Sequence, residues 1–360
     1  MNQDLTQDLA GQVAAAYDAG RSLRIQGGAS KTWLGRTVLG EALEIAGHRG
    51  ILSYEPTELV ITARAGTPLA EIKAALAERG QWLAFEPPHF DARPAPGGPG
   101  ADAGATLGGT IACGLSGPAR PYAGAARDFV LGVRIINGRG EVLRFGGEVM
   151  KNVAGYDLSR LMVGAHGTLG VLLEVSLKVL PRPATALTLA LDLTAGEAID
   201  RFNRWAGQPL PLSAACHDGD RAYVRLAGSE AAVLAARARL GGEEVGAGAD
   251  FWRGVRELSH AFFRNPAPLW RLSLPPTASH DPSLGPQFID WGGALRWVQG
   301  EQPQWAVAQA VGGHATCYGE RASDQVFQPL PPALLALHQR LKAALDPRGI
   351  LNPGRLYPDL

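Results

Sequence analysis

The chain has 360 residues, and its 34 Lys and Arg residues balance its 34 Asp and Glu residues. Because the charges balance, the chain has no excess of basic residues that would indicate nucleic-acid binding. The sequence also has no acidic tail. With 46% hydrophobic residues, the chain is long enough for about two or three domains, each with its own core.

The start of the chain, MNQDLTQD, lacks the basic residues and apolar run of a secretory signal. The chain contains no run of about 18 apolar residues, which a membrane-spanning helix would need. The three cysteines, Cys113, Cys216 and Cys317, are sparse and far apart, which is typical of a reducing compartment. We therefore expect a soluble, cytoplasmic protein, and without a Cys-x-x-Cys pair we expect no iron–sulfur cluster held by this chain alone.

Periodicity predicts alternating strands and helices in the first half of the chain. We expect helices over 7–19 and 157–162, and strands over 22–26, 59–65, 129–136, 141–145 and 171–180. A further helix is predicted to run to Arg79, with Thr67 as its N-cap, Pro68 as its first residue and Glu71 completing a capping box. The Pro-, Gly- and Ala-rich residues 86–105 predict an exposed loop.

Pro181-Arg182-Pro183 interrupts this pattern and predicts a domain boundary. Beyond it we expect an antiparallel sheet with helices on one face, built from strands over 185–193, 212–216 and 221–227, helices over 196–206 and 229–240, and Trp-rich strands within 269–299. A last helix is predicted over 333–345. The fold class is therefore α+β, with domains at 1–182 and 183–330 and a C-terminal helix and tail, 331–360, that returns to the first domain.

A glycine loop follows the first strand, in the order Gly27, Gly28, Ala29, Ser30 and Lys31. Two glycines let the backbone turn sharply and approach a ligand. Successive backbone N–H groups in such a turn can bind an anion, to which a hydroxyl and an ammonium group add donors. The loop predicts a phosphate or pyrophosphate site, and the alternative is a plain turn.

Two further runs of small residues lie at 106–117 and 164–171. The first has no periodic apolar face, so it predicts neither a good helix nor an ordinary strand, and its backbone amides are placed to line a flat ligand. The alternative for this run is a tightly packed turn. The second leads from a helix into a strand, which is the reverse of the Rossmann order.

These three elements in this order resemble the FAD-binding fold of the vanillyl-alcohol oxidase and p-cresol methylhydroxylase superfamily. The similarity is closer still to one family within it, the FAD-binding subunits of bacterial glycolate oxidases. It rests on PTELVITAR, RDFVLG, FGGEVMKNVAGYDLSR, LRW, GGHAT and DPRGILNPGR, which begin at residues 56, 127, 145, 295, 312 and 346. These blocks span nearly the whole chain.

The resemblance implies a two-part FAD-binding domain followed by a second α+β domain. It assigns the pyrophosphate to the glycine loop, the flavin to 106–117, the adenosine half to 167–171, and a place near the flavin to the tail. The cofactor-binding residues that we predict on this basis are Gly27, Gly28, Ala29, Ser30, Lys31, Pro87, Thr106, Gly108, Gly109, Thr110, Ala112, Gly114, Gly117, Gly167, Thr168, Gly170, Val171 and Asn352.

Relatives with a histidyl flavin carry a histidine in the first glycine loop, where this chain has Ala29 and Ser30. We therefore expect non-covalent FAD. The chain also lacks the His-x-Gly-Asp-Gly-Asn-x-His block and the later acidic motif that place a metal and a base in related 2-hydroxy-acid dehydrogenases. His314 and Cys317 have a spacing that suits a metal, but two ligands do not make a site. We predict no metal, and no catalytic residue is assigned.

Several polar and aromatic side chains remain weaker candidates. Tyr156, Asp157 and His89 are placed to touch flavin or substrate, although Asp157 suits a helix N-cap equally well. Lys151 faces either an anion or solvent. Four tryptophans are expected to pack the second domain or to contact another subunit, namely Trp270, Trp291, Trp297 and Trp305.

The function that the resemblance implies is an FAD-binding redox subunit of a multi-subunit glycolate oxidase. Its implied partners are a larger FAD-containing catalytic subunit and an iron–sulfur subunit, and the complex would be cytoplasmic or peripheral at the inner membrane. Two alternatives stay open. One is a self-sufficient flavin dehydrogenase for a small hydroxy acid, and the other is an assembly subunit with a degenerate cofactor site and no redox role.

Overall fold

The computed structural model describes residues 3–90, 104–147, 157–318 and 326–360. The described residues form two compact units. The first is drawn from 1–115, 125–181 and 329–360, and the second from 116–124 and 182–328. The break at Pro181 coincides with the Pro-Arg-Pro sequence, and the segment 116–124 is placed with the second unit. The functional division into domains stays a prediction.

The described helices are α1 Thr6–Ala19, α2 Leu69–Ala77, α3 Leu107–Cys113, α4 Arg120–Ala123, α5 Ala126–Phe129, α6 Leu158–Leu161, α7 Ala195–Ala206, α8 Glu230–Leu240, α9 Gly248–Arg256, α10 Trp305–Ala310 and α11 Pro332–Leu345. Short 3₁₀ helices cover Ala261–Arg264, Pro282–Leu284 and Trp291–Gly293. Among the described residues, no helix is both long enough and apolar enough to cross a bilayer.

The described strands are β1 Leu23–Gln26, β2 Glu41–Glu44, β3 Ile51–Glu55, β4 Val60–Arg64, β5 Gln81–Trp82, β6 Val130–Ile136, β7 Val142–Gly146, β8 Val171–Lys178, β9 Leu180–Pro181, β10 Thr185–Leu191, β11 Leu212–His217, β12 Ala222–Gly228, β13 Glu243–Glu244, β14 Leu269–Ser273, β15 Gln287–Asp290, β16 Leu295–Gln299 and β17 His314–Tyr318. The predicted strands are thus confirmed, with ends that differ by up to two residues.

The first unit contains an antiparallel sheet whose described strands follow the order β3-β4-β8-β6-β7. The central strand β8 is buried along almost its whole length, as expected where both faces of a strand are covered. Strands β1 and β2 form a separate parallel pair, from which the chain enters the glycine loop. The two-part arrangement expected for this unit is confirmed.

The second unit is built on an antiparallel sheet, with described strands in the order β13-β10-β12-β11-β15-β16-β14-β17. Helices α7 and α8 pack on one face, where Phe202 and Val233 join the core with Leu189. The prediction that helices 196–206 and 229–240 share one face of this sheet is confirmed. The sequence did not predict α9. Because strand residues alternate between faces, Thr188 lies on the opposite face, where it accepts a hydrogen bond from Trp252 Nε1 of α9 at 3.0 Å.

The prediction of a capping box at the start of α2 is wrong. Pro68 is the N-cap, and no side chain caps this helix. The Thr67 hydroxyl is buried and accepts a hydrogen bond from the Gly50 backbone N–H at 2.9 Å. This tertiary partner takes the oxygen that the local pattern assigned to the helix.

Residues 106–117 are helical over α3, against the prediction. Thr106 Oγ1 accepts a hydrogen bond from Gly109 N, and Gly114 ends the helix in the left-handed conformation with φ +63°. These two caps satisfy the ends of a helix that is too short to be stable alone. Neighbouring segments supply the remaining backbone bonds, such as that from Gly108 N to Ala65 O at 2.7 Å.

The exposed loop predicted at 86–105 is wrong for its described part. Glu86 and Phe90 are buried, and the ring of Phe90 packs edge-on against Trp33 with 5.2 Å between centroids. Residues 91–103, including the rest of the predicted loop, lie outside the described residues.

A buried ion pair attaches α11 to the rest of the first unit. Lys342 Nζ lies 2.8 Å from Asp346 Oδ2 and donates to the carbonyl oxygens of Thr168 and Leu351. Asp346 in turn accepts from the backbone N–H groups of Ile350 and Leu351. The pair therefore holds the helix, the 164–171 segment and the tail together.

Replacing Lys342 with Met should lower the free energy of unfolding by about 3 kcal/mol or more, because it leaves the buried Asp346 carboxylate without its cation. Urea and thermal unfolding of the purified chain measure the loss. Arg340→Met, at an exposed position of the same helix, is the matched control and should change stability by no more than about 0.5 kcal/mol. Equal stability of the two variants would contradict this account.

Candidate functional site

The glycine loop leaves β1 and turns with its backbone partly accessible. Residues 27–30 are half-buried, whereas Lys31 is buried, with 7% of its surface exposed. The Lys31 ammonium group donates to Ser30 Oγ at 3.1 Å and to the His89 carbonyl oxygen at 3.4 Å. It also lies 5.8 Å from the centre of the Phe90 ring. A buried positive charge thus stands directly behind the turn.

The loop lies against the start of α3. A Cβ atom on Gly27 would come within 2.6 Å of Thr106 Oγ1, the oxygen that caps the helix. A Cβ atom on Gly108 would come within 2.7 Å of the Ala65 Cβ atom. These two glycines are therefore required by close packing between segments of this chain.

The second glycine segment is hydrogen-bonded to the end of α3. Gly164 N donates to Ile111 O at 3.1 Å, and His166 N donates to Ala112 O at 2.9 Å. Gly167 adopts φ +74°, and a Cβ atom there would lie 2.8 Å from Asn352 Nδ2. The segment predicted as a third element of the site therefore lies beside the second one.

The tail closes this arrangement through Asn352. Its side-chain oxygen accepts from Ile25 N at 2.8 Å, and its side-chain nitrogen donates to His166 O at 2.7 Å. Its own backbone N–H donates to Leu23 O at 3.0 Å. We call the four linked segments, 23–31, 106–114, 164–171 and 350–355, the cradle.

The cradle is electropositive. Arg355 donates to the carbonyl oxygens of Lys31 and Thr32 at 3.3 and 3.2 Å. Desolvation, and then the charge of Arg355, lower the pKa of His166 to about 3, so this imidazole is neutral near pH 7. Desolvation raises the pKa of the Cys113 thiol, although the charges of Lys31 and Arg355 oppose that shift.

The surface of the cradle suits a flat, anionic ligand. Gly109, Ala112 and Cys113 recur at helical spacing, and all are partly accessible, whereas Leu107 and Ile111 are buried. The accessible face of α3 therefore carries only small side chains. In addition, Thr110 Oγ1 is buried without a hydrogen-bond partner among the described residues. These features, with the two cations, fit a ring system joined to phosphate groups.

The remaining predicted cofactor residues occupy varied positions. Pro87 is buried next to His89, whose Nε2 lies 3.1 Å from Lys73 Nζ. Thr168 donates to Ala165 O, and Gly170 packs against Ile135. Val171 is fully buried at the start of β8. Gly28 and Ala29 lie in the loop, the latter with φ +56°. Gly117 belongs to the second unit.

Other candidates have structural roles in the described chain. Asp157 caps α6 by accepting from Arg160 N at 3.1 Å. Trp270, Trp291 and Trp297 are buried in the second unit, and Trp305 packs edge-on against Trp270. Lys151 and Tyr156 lie outside the described residues.

The spacing of His314 and Cys317 does not bring them together. Residues an odd number apart on a strand lie on opposite faces. Cys317 is buried in the core while His314 is exposed. Across the described ranges, no group of three or more His, Cys, Asp or Glu side chains has the geometry for a metal ion. The described cysteines are all free thiols.

Comparisons with known proteins identify the fold and family. The family model for the FAD binding domain matches residues 4–146, and the model for the C-terminal domain of FAD linked oxidases matches residues 317–356. Glycolate oxidase subunit GlcE of Escherichia coli K12 is 51% identical over 360 residues, which cover 99% of each chain. This chain belongs to that family of FAD-linked oxidoreductases.

More distant members of the family match shorter stretches. Glycolate oxidase subunit GlcD of Bacillus subtilis is 43% identical over 84 residues, which are 23% of this chain and 18% of GlcD. D-2-hydroxyglutarate dehydrogenase of Xanthomonas citri is 32% identical over 142 residues, which are 39% of this chain and 28% of the dehydrogenase. The solved structure of alkyldihydroxyacetonephosphate synthase aligns with a TM-score of 0.62 at 14% identity, covering 96% of this chain and 74% of the synthase. It shows the same FAD-binding fold.

Sequence reasoning missed two groups of the cradle. Arg355 lies in the DPRGILNPGR block that carries the family resemblance, but its reach to Lys31 depends on contacts between segments more than 300 residues apart in the chain. His166 lies in a predicted segment, but the glycines beside it, and not the imidazole, carry the motif. A half-buried guanidinium beside a glycine loop is a signal that only the folded chain reveals.

Replacing Gly27 with Ala should lower the free energy of unfolding by about 1–3 kcal/mol, because the new methyl group displaces the Thr106 cap. FAD retention should fall with it, as measured by the absorbance of the purified protein near the flavin bands. Gly11→Ala is the control, because Gly11 lies in α1 with no atom near its Cβ position and a helical Ala is favourable. Unchanged stability of Gly27→Ala would contradict the close approach of Gly27 to Thr106, and full flavin content would contradict a role of this loop in FAD binding.

Replacing Lys31 with Met should weaken FAD binding by about tenfold or more, because the buried cation behind the loop is lost while its apolar stem is kept. Titration of the flavin-free protein with FAD, followed by flavin fluorescence, measures the dissociation constant. Lys178→Met, a half-buried lysine at the end of β8, should leave that constant unchanged. Unchanged affinity in Lys31→Met would remove Lys31 from the site.

Proposed function

We propose that this chain is the FAD-binding redox subunit of a multi-subunit glycolate oxidase, which converts glycolate to glyoxylate. The observation that carries the proposal is the similarity to the Escherichia coli glycolate oxidase subunit, which extends over 99% of both chains. The whole cradle and the whole second unit therefore have counterparts in a protein of that name. The cradle supports it further, since its charge and small side chains fit FAD.

The cradle residues would hold FAD in distinct ways. The backbone N–H groups of 27–30 and the charges of Lys31 and Arg355 would bind the pyrophosphate. The open face of α3 would leave room for the flavin ring, and the 167–171 segment would line the adenosine half. Bound FAD supplies the capacity to accept a hydride from the alcohol carbon of a hydroxy acid. Because Ala29 and Ser30 offer no suitable nucleophile, the attachment is non-covalent.

The complex would divide the chemistry between subunits. This sequence lacks the histidine block and acidic motif that place a metal and base in related hydroxy-acid dehydrogenases. A larger FAD-containing subunit would then carry the complete substrate site, and an iron–sulfur subunit would receive the electrons. The match to a second glycolate oxidase subunit, GlcD of Bacillus subtilis, is consistent with related flavin subunits in one enzyme. We place the complex in the cytoplasm or at the inner membrane surface.

The first test is the flavin itself. The purified full chain should be yellow, and acid should release about one FAD per chain, identified by chromatography against FAD and FMN standards. FMN in place of FAD would contradict the pyrophosphate assignment, and flavin that stays with acid-precipitated protein would contradict non-covalent binding. A colourless chain that takes up no added FAD would sink the proposal.

The second part of the same test uses the assembled complex. Glycolate should reduce an artificial acceptor through the complex, and Lys31→Met in this subunit should lower that rate. Turnover of glycolate by the isolated chain would favour the self-sufficient dehydrogenase. An FAD that is never reduced by glycolate within the active complex would favour the assembly role.

A further inference from the structure

A group of polar side chains occupies one face of the second unit's sheet, where β14 pairs with β17. In the antiparallel register Arg271 is opposite Thr316, and Ser273 is opposite His314. Directly opposed residues share a face of a sheet, as do residues two apart on one strand. The four side chains therefore lie on one face as two adjacent pairs. We call Arg271, Ser273, His314 and Thr316 the polar block.

The other face of the same two strands is a hydrophobic core. The intervening residues Trp270, Leu272, Ala315 and Cys317 are all buried there, together with Ala308 of α10. In contrast, Arg271, Ser273 and Thr316 are half-buried and His314 is exposed. The alternation thus leaves the polar block accessible, and packing of the core does not explain its composition.

Arg271 has no acidic partner among the described residues. Its contact there is with an aromatic ring, as its guanidinium carbon lies 4.8 Å from the Trp291 ring centre. By comparison, Arg221 of the same unit is paired with both Asp192 and Glu243. Arg271 also acts on His314, since desolvation and then its charge lower the pKa of that imidazole. A half-buried guanidinium that has no carboxylate partner among the described residues is a ready site for an anion.

Trp291 is held beside Arg271 in a strained conformation. It adopts φ +54°, and it is followed by Gly292 and Gly293, also at positive φ. A bulky residue in this region is an outlier that its surroundings must stabilise. Here Asp290 accepts from Trp291 N at 2.7 Å, and Trp291 Nε1 donates to Gly117 O at 3.0 Å.

Arg296 fixes the same turn from the buried side. It is 1% exposed, and its guanidinium donates to Gly293 O at 3.0 Å and to Ala278 O at 2.8 Å. The Trp291 ring is thus bonded to Gly117, its backbone is bonded to Asp290, and the turn that follows it is bonded to Arg296. Such backbone strain persists where the arrangement is over-determined, and it clusters at functional sites.

A second guanidinium approaches the same ring. The Arg120 guanidinium carbon lies 4.4 Å from the Trp291 ring centre. The guanidinium groups of Arg120 and Arg271 are therefore both in contact with the same indole ring. Around one indole the second unit thus gathers two guanidinium groups, with an imidazole and two hydroxyl groups beside Arg271. Guanidinium donors match both oxygens of a carboxylate, and hydroxyls match an alcohol or carbonyl oxygen.

We propose that the polar block, anchored by Arg271 beside Trp291, binds the carboxylate of a small 2-hydroxy or 2-oxo acid. This rests on the proposed function for the choice of acid, and it adds a substrate- or product-binding site on this subunit. Arg271 is the carboxylate-binding residue, and Arg120 is the second cation beside Trp291. His314, Ser273 and Thr316 supply neutral hydrogen-bonding groups for the oxygen on the second carbon. Trp291 and Arg296 are positioning residues.

The test is calorimetric titration of the full chain, carrying its FAD, with glycolate, oxalate, acetate and phosphate. We expect saturable binding of glycolate and oxalate, with acetate and phosphate weaker. Arg271→Gln should weaken glycolate and oxalate by about tenfold or more, and Arg271→Lys should restore part of the loss. Thr316→Val should weaken glycolate more than acetate. Arg221→Gln, which removes a half-buried arginine of the same unit that is paired with Asp192 and Glu243, should bind like the unaltered protein.

Each result decides the proposal. Failure to bind any of the acids up to high millimolar concentration, or equal binding by Arg271→Gln and the unaltered chain, would overturn it. Tighter binding of phosphate than of both acids would also overturn the assignment to a carboxylate. Circular dichroism and thermal midpoints confirm that the variants are folded. Because binding is read without turnover, acid binding to a chain whose complex does not oxidise glycolate would reject the proposed function and leave this site intact.

Discussion

The arrangement of the first unit depends on one side-chain amide. Asn352 uses its oxygen, its nitrogen and its backbone N–H to join the tail to β1 and to the segment before β8. An amide can do this because it is both donor and acceptor. An aspartate would lack the donor and a leucine would lack both. The residue also tolerates the left-handed conformation, φ +44°, that the tail adopts there.

The glycines of the cradle follow from this convergence. The four segments, distant in sequence, approach so closely that a Cβ atom would collide at Gly27 with Thr106 and at Gly167 with Asn352. At Gly108 a Cβ atom would collide with Ala65, just outside the cradle. Glycine is therefore needed at these positions for packing between segments of the same chain, as much as for the approach of a ligand. The accessible small residues, Gly109 and Ala112, are different, because they face outward where a flat ring would lie.

In the second unit the accessible surface is formed by side chains and not by closely packed glycines. Where residues 271–273 of β14 pair with residues 314–316 of β17, its sheet residues alternate, so the apolar side chains lie on one face and the polar ones on the other. A strained turn, fixed by Asp290 and Arg296, then presents an indole beside the polar face. Under the two proposals, the first unit would hold the cofactor and the second unit would bind a small acid.

The amino-acid sequence by itself determined most of the strands and helices, the family and the cofactor, because hydrophobic periodicity and long motif blocks are local properties. It gave the wrong account of α3 and of the Thr67 cap. A seven-residue, glycine-rich helix exists only because Thr106, Gly114 and neighbouring segments satisfy its ends, and the Thr67 hydroxyl bonds to Gly50 instead of its own helix. Only the tertiary structure placed Arg355 beside Lys31, separated His314 from Cys317 and left Arg271 next to Trp291. These outcomes depend on strand pairing and on contacts between segments that are distant in the sequence.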